Sequence, residues 1–100
     1  MKTRVVHVLK SNYDLYIGRW MNFEGKIFPE SIWHNPYKIG KDGTREEVIQ
    51  KYRDYLLDSP ELMSLLPTLR GKRLGCWCFP DSCHGDVLVE LAEATVYLTF

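Results

Sequence analysis

Three thiols, an imidazole and two carboxylates fall within the eleven residues Cys76–Asp86. A cysteine in the first turn of a helix faces unpaired backbone N–H groups and the positive end of the helix dipole, which favour its thiolate. Cys83 would hold this position in a helix that follows the Pro80 break, so it is the candidate nucleophile. His84 and Asp86 are close enough in sequence to act as acid, base or orienting groups. The cluster therefore predicts thiol chemistry, with Cys83, His84 and Asp86 as candidate catalytic residues.

The same segment offers metal binding as a second chemistry. Cys76, Cys78, Cys83 and His84 form a Cys₃His donor set that fits zinc, although their spacing departs from the two to four residues usual between zinc ligands. An iron–sulfur cluster held by the three cysteines ranks third. A packing role is also open for Cys76 and Cys78, because buried free cysteines are common in protein cores. With zinc bound, the protein would be a structural or interaction module without catalysis.

A second group of residues has the character of a binding site. Arg19 follows a predicted strand and can make a bidentate contact with a phosphate or carboxylate. Asn35 can hydrogen-bond an amide or a base edge, and Trp33 can stack on a flat ligand. Arg19, Trp33 and Asn35 are therefore candidate residues for a small anionic or nucleotide-like ligand. Alternatively, Asn35 and Pro36 form a turn and the neighbouring aromatic residues pack within their own loop.

The composition is that of one compact domain spanning residues 1–100. Hydrophobic residues make up 45% and charged residues 26% of the chain, as in globular proteins. Thirteen basic residues balance thirteen acidic ones, which argues against nucleic-acid coating. The cysteines are clustered rather than spread along the chain, and its start carries no long apolar segment. We therefore expect a cytoplasmic protein without a signal peptide or a membrane span.

Runs of β-branched and apolar residues bounded by turn residues predict strands. They lie at Arg4–Lys10, Asp14–Ile17, Lys72–Cys78 and Val96–Phe100. We expect Leu74–Cys78 to pair in parallel with Val5–Leu9 through a helical crossover. In this arrangement Cys76 and Cys78 share a face of the strand, and Cys83 and His84 lie at its carboxyl end, where open α/β sheets bind ligands.

Capping signals predict the first two helices. Thr44 and Glu47 form a capping box, which begins a helix with an apolar face. Arg45 in this helix is expected on the solvated face. Ser59, followed by Pro60, begins a second and shorter helix.

A third helix is expected after the proline break, with Asp81 or Ser82 as its cap. The segment Trp20–Lys41 has neither helical nor strand periodicity and predicts one long aromatic loop that serves as a lid or pocket wall. The predicted fold is α/β: a small single-domain sheet of about four strands with a central parallel pair, three helices and this long loop.

Four segments resemble the domain of unknown function 4326 family in residue pattern and order: Tyr16–Arg19, Trp33–Val48, Leu69–Cys78 and Cys83–Leu88. On these segments the chain is identified as a member of the family from Val5 to Leu91. The family consists of small standalone proteins of bacteria and their viruses, and the resemblance implies no activity. An insertion at Trp20–Ile32 and an extension at Val96–Phe100 depart from the family pattern and would alter the mouth of the expected pocket.

The sequence thus predicts a small cytoplasmic α/β protein with a Cys/His site where a strand ends and a helix begins. We expect this site to bind a small anionic or nucleotide-like ligand and to support thiol-based catalysis. The alternative is a zinc-binding Cys₃His structural or interaction module.

Overall fold

The computed structural model describes residues 2–94 and confirms the α/β class. These residues form a parallel three-stranded sheet, an antiparallel two-stranded sheet and three α-helices. The strands are β1 (Arg4–His7), β2 (Leu15–Tyr16), β3 (Met21–Phe23), β4 (Lys26–Phe28) and β5 (Arg73–Cys76). The helices are α1 (Arg45–Leu57), α2 (Pro60–Leu65) and α3 (His84–Ala94), with a 3₁₀ turn at Leu66–Leu69. The strand predicted at Val96–Phe100 lies outside the described residues. None of the helices within residues 2–94 is long and apolar enough to cross a membrane.

The parallel sheet has the order β1-β5-β2, which confirms the predicted pairing of the first strand with the cysteine-bearing one. The prediction that this strand continues to Cys78 is wrong. Pairing ends at Cys76, whose carbonyl accepts a hydrogen bond from Val8 N–H, and a turn follows in which Asp81 N–H donates to the Cys78 carbonyl. A ladder needs a partner strand, and β1 and β2 both end at this level. Cys78 is therefore beyond the strand.

Strands β1 and β2 pair with opposite sides of β5, and Gly75 leaves room for the chain that connects them. The chain between β1 and β2 crosses one face of β5, and an added Cβ at Gly75 would lie 2.8 Å from the Tyr13 side chain and 2.9 Å from that of Val8. On the other face, the side chains of Leu74 and Cys76 are buried in the hydrophobic core. The absence of a side chain at Gly75 thus lets the connection lie directly on the sheet.

The first two predicted helices are confirmed. Thr44 Oγ1 accepts a hydrogen bond from Glu47 N–H, and the Glu47 carboxylate accepts one from Thr44 N–H, so the capping box is complete. Helix α1 buries residues one turn apart, namely Val48, Tyr52 and Leu56. Helix α2 begins at Pro60 and is only six residues long, and the buried leucines that follow it belong to the 3₁₀ turn.

The third helix begins later than predicted, and the expected cap at Asp81 or Ser82 is wrong. Cys83 directly precedes α3, and its Sγ accepts a hydrogen bond from Gly85 N–H at 3.3 Å. The Asp86 carboxylate accepts one from Cys83 N–H at 3.0 Å. A thiol and a carboxylate of the first turn thereby perform the capping that a hydroxyl was expected to provide.

The segment Trp20–Lys41 is not one continuous loop, because β3 and β4 form an antiparallel hairpin within it. Glu24 and Gly25 make its two-residue turn with positive φ angles of 49° and 87°. Asn22 Oδ1 accepts a hydrogen bond from Gly25 N–H. Strands of three residues are too short to display a period-2 pattern, and glutamate is an unusual residue at positive φ.

Candidate functional site

A cavity of about 480 Å³ lies at the carboxyl ends of β5 and β2, beside the beginnings of α1 and α3. Its floor carries the three cysteines, and one wall comes from residues 35–39 of the long connection before α1. In open parallel sheets the crevice outside the carboxyl ends of the strands is the usual ligand position. The volume falls within the range of small-molecule sites.

The cavity is basic. Its lining includes Arg19, Lys38 and Arg45 and no aspartate or glutamate of the described chain. Arg45 donates to the Ser82 carbonyl at 2.8 Å, which holds its guanidinium against the segment between β5 and α3. The nearest carboxylate oxygen, on the exposed Asp81, is 3.9 Å from Arg45, so this ion pair is weak. The walls therefore favour an anion.

A depression of similar volume beside α1 and α2 has the opposite character. Its lining contains three carboxylates, Asp54, Asp58 and Glu61, against the single cation Lys51. It contains none of the thiols and lies away from the strand ends. The basic cavity is therefore the candidate site.

Arg19 is fixed at the cavity wall by the segment opposite. One terminal nitrogen of its guanidinium donates to the carbonyls of Asn35 and Tyr37 at 2.7 and 2.8 Å. The Asn35 side chain in turn donates to the Val48 carbonyl and accepts from Tyr37 N–H. The amide of Asn35 thus secures the wall to α1. A guanidinium has five N–H donors, so Arg19 keeps donors for a ligand.

Aromatic side chains form a second wall. The Trp77 indole N–H donates to the Tyr16 hydroxyl at 2.9 Å, and its ring packs edge-on against Phe28, with centroids 5.1 Å apart. Tyr16 and Trp77 both line the cavity, and the exposed Trp20 stands beside them. These rings provide flat surfaces on which a planar ligand can stack.

The three thiols form one cluster. Cys76 Sγ and Cys83 Sγ are 3.4 Å apart. Hydrogen bonding with Cys83 lowers the pKa of Cys78 to about 6 and that of Cys76 to about 7, against the opposing effect of burial. The Arg45 guanidinium further lowers the pKa of Cys78. The same hydrogen bonds, together with burial, raise the pKa of Cys83. Cys83 is therefore the thiol of this cluster that holds its proton most firmly.

His84 is neutral and held in one orientation. Its Nε2–H donates to the Ile17 carbonyl at 2.7 Å, and its ring packs edge-on against Tyr52. Burial lowers its pKa to about 4, with Arg19 also opposing protonation. Because Nε2 carries the proton, Nδ1 of this cavity-lining residue is a hydrogen-bond acceptor at neutral pH.

Residues 2–94 match the model of the family described as "Domain of unknown function (DUF4326)". The chain belongs to this family. It is 42% identical over 88 residues to uncharacterized protein R718 of Acanthamoeba polyphaga mimivirus, covering 80% of this chain and 67% of that relative. It is 37% identical over 95 residues to an uncharacterized 12.4 kDa protein in the nrdA-td intergenic region of Enterobacteria phage T4, covering 90% of this chain and 77% of that relative. No solved structure matches the chain.

Most of the site residues predicted from the sequence line this cavity. Its lining includes Arg19, Asn35, Cys76, Cys78, Cys83 and His84. Trp33 is instead buried in the hydrophobic core, with 3% of its surface exposed. Asp86 is exposed and is engaged with the Cys83 N–H at the start of α3 rather than lining the cavity.

The predicted metal set is only partly assembled. Cys76 Sγ and Cys83 Sγ are 3.4 Å apart, whereas His84 Nε2 donates to the Ile17 carbonyl. Within residues 2–94, no group of three or more His, Cys, Asp or Glu side chains has a geometry that could hold a metal ion. Zinc and iron–sulfur binding stay predictions from the sequence.

Sequence reasoning gave no functional role to several cavity residues, among them Arg45 and Trp77. Arg45 was expected on the solvated face of α1, which is wrong, because its side chain lines the cavity and contacts the segment before α3. Lys38 and Trp77 also line the cavity. The approach of α1 to α3 that brings Arg45 here has no local signal in the sequence.

Proposed function

We propose that this family member binds a small anionic ligand with a flat, nucleotide-like part in the basic cavity. The observation that supports this most strongly is the charge of the lining, in which Arg19, Lys38 and Arg45 are opposed by no carboxylate. A site of this composition attracts a phosphate or carboxylate and disfavours cations.

Local geometry supports the same ligand class. Helix α3 begins at the cavity, and the positive end of a helix dipole favours an anion. Tyr16, Trp20 and Trp77 offer stacking surfaces, and neutral His84 offers an acceptor for an N–H or O–H of the ligand. A ligand with a phosphate and a heteroaromatic ring would use all three features.

Isothermal titration calorimetry tests this proposal with a nucleoside monophosphate, the corresponding nucleoside and inorganic phosphate. We expect the monophosphate to bind most tightly, because only it uses both the cations and the aromatic wall. Replacing Arg45 by methionine should weaken the binding of the monophosphate at least tenfold, equivalent to about 1.4 kcal/mol.

Arg4→Met is the matched control, because Arg4 is exposed at the amino end of β1, whereas the cavity lies at the carboxyl ends of the strands. The affinity of the Arg4→Met variant for the monophosphate should equal that of the unmodified protein. Equal losses in both variants, or equal affinity for the nucleoside and its monophosphate, would refute the anion site.

A further inference from the structure

The three thiols are arranged in order of access. Cys76 and Cys83 are only 2% and 4% exposed, whereas Cys78 is half-buried and lines the cavity. Cys83 Sγ is 3.4 Å from Cys76 Sγ, and these two buried cysteines line the same cavity as Cys78. A molecule in the cavity would therefore meet Cys78 before the two buried thiols.

Polar groups surround this cluster, which distinguishes it from cysteines that only pack in a core. Arg45, which donates to the Ser82 carbonyl, lines the cavity together with Cys78. Gly85 N–H donates to Cys83 Sγ at the start of α3. Such donors stabilise thiolates, and a thiolate is the species that attacks disulfides.

We propose that Cys78 and Cys83 form a redox-active dithiol that reduces small-molecule disulfides entering the cavity. Cys78 is the attacking residue, since it is the most accessible thiol of the cluster and lies beside a guanidinium. Cys83 is the resolving residue, since it lines the same cavity and its sulfur accepts the Gly85 N–H at the start of α3. Buried Cys76 is not required for the reaction. This chemistry does not depend on the anion site proposed above.

The reaction balances over two steps. The Cys78 thiolate attacks one sulfur of a disulfide RS–SR, the S–S bond breaks, and a mixed disulfide Cys78–S–SR forms as RS⁻ leaves. Cys83 then loses its proton to the released RS⁻ and attacks the Cys78 sulfur, and the second RS⁻ leaves and is protonated by solvent. The substrate gains two electrons and becomes two thiols, while the protein dithiol is oxidised to the Cys78–Cys83 disulfide.

Dipyridyl disulfide is a suitable probe, because it is uncharged and releases a coloured thione at each step. The unmodified protein should release two thiones per chain and retain no pyridyl adduct. Intact-mass measurement should show the loss of two hydrogens. Cleavage after Trp77 and before Asp81 places the three cysteines on separate peptides, and the linked pair should be Cys78 with Cys83.

Variants assign the roles. Cys83→Ser should release one thione and keep a pyridyl adduct on Cys78, and Cys83→Ala provides the same reading if the serine variant does not fold. Cys78→Ser should react at least tenfold more slowly, whereas Cys76→Ser should still release two thiones. A Cys76–Cys83 linkage in the unmodified protein would overturn the proposal, as would a stable adduct or an unchanged rate in Cys78→Ser.

Discussion

At the scale of single residues, the chemistry of the cavity depends on where protons lie among groups in contact. Three thiols close together do not titrate independently, because each proton retained by one thiol stabilises a charge on its neighbour. Hydrogen bonding within the cluster lowers the pKa values of Cys76 and Cys78 and raises that of Cys83, so the cysteine beside the helix N-terminus holds its proton most firmly. The hydrogen bond from Gly85 N–H lowers the pKa of Cys83, but hydrogen bonding with Cys76 and Cys78 raises it by more.

His84 should make the stability of the protein depend on pH. Its pKa is lowered to about 4 in the folded protein, below the ordinary value of 6.5. Between these values the unfolded chain binds a proton that the folded protein does not, so stability falls as pH decreases from about 6.5 to about 4. The protonation of His84 should lower the free energy of unfolding by about 2 to 3 kcal/mol over this pH range.

Urea unfolding at pH 7, 5 and 4 measures this dependence. His84→Gln keeps an N–H donor for the Ile17 carbonyl but does not titrate, so its stability should fall less over this range. Carboxylates titrate in both proteins, and the difference between the two curves isolates His84. Parallel curves would contradict the assignment of a neutral, buried imidazole.

At the scale of elements, the approach of α3 to the sheet brings the site together. An added Cβ at Gly85 would lie 2.8 Å from Val5 Cγ2, 2.9 Å from Ile17 Cδ1 and 3.2 Å from Cys83 Sγ. The first turn of α3 therefore rests on β1 and on the residue after β2 with no room for a side chain. This contact places Cys83 against Cys76 and His84 against Ile17.

Gly85→Ala should destabilise the protein by about 1–3 kcal/mol through overpacking. Helix propensity alone predicts the opposite sign, because alanine is favoured over glycine in helices by about 1 kcal/mol. Chemical denaturation measures the free energy of unfolding. Ala94→Gly, at the exposed end of the same helix, serves as the control for propensity and should cost at most about 1 kcal/mol. A stabilised Gly85→Ala variant would show that α3 does not contact the sheet this closely.

Elements with local signals were predictable from sequence, and those set by tertiary contact were not. The capping box of Thr44 and Glu47 and the proline start of α2 depend on neighbours in the chain. The end of β5 at Cys76 depends instead on where β1 and β2 stop. In the site, the clustering of Cys83 and His84 followed from their adjacency, whereas Arg45 reaches the cavity only because α1 packs beside α3.

At the scale of the whole molecule, a formal net charge of zero conceals a separation of charge. Away from the cavity, two arginines are paired with carboxylates: Arg53 contacts Glu90 and Arg73 contacts Asp14, each through two side-chain hydrogen bonds. The cations of the cavity lining have no acidic neighbour in that lining. The cavity lining is therefore basic although the chain as a whole is formally neutral.

This separation predicts that salt acts on binding and leaves folding nearly unchanged. Exposed ion pairs such as Arg73–Asp14 contribute little to stability, so added sodium chloride should hardly change the free energy of unfolding. The screening length shortens from about 10 Å at 0.1 M to about 3 Å at 1 M ionic strength, so attraction between the cavity and a nucleoside monophosphate should weaken by roughly tenfold in affinity. Calorimetry and urea unfolding over the same salt series measure both quantities, with the uncharged nucleoside as the control. If salt weakened nucleoside and monophosphate binding equally, the cations of the cavity would not be what holds the ligand.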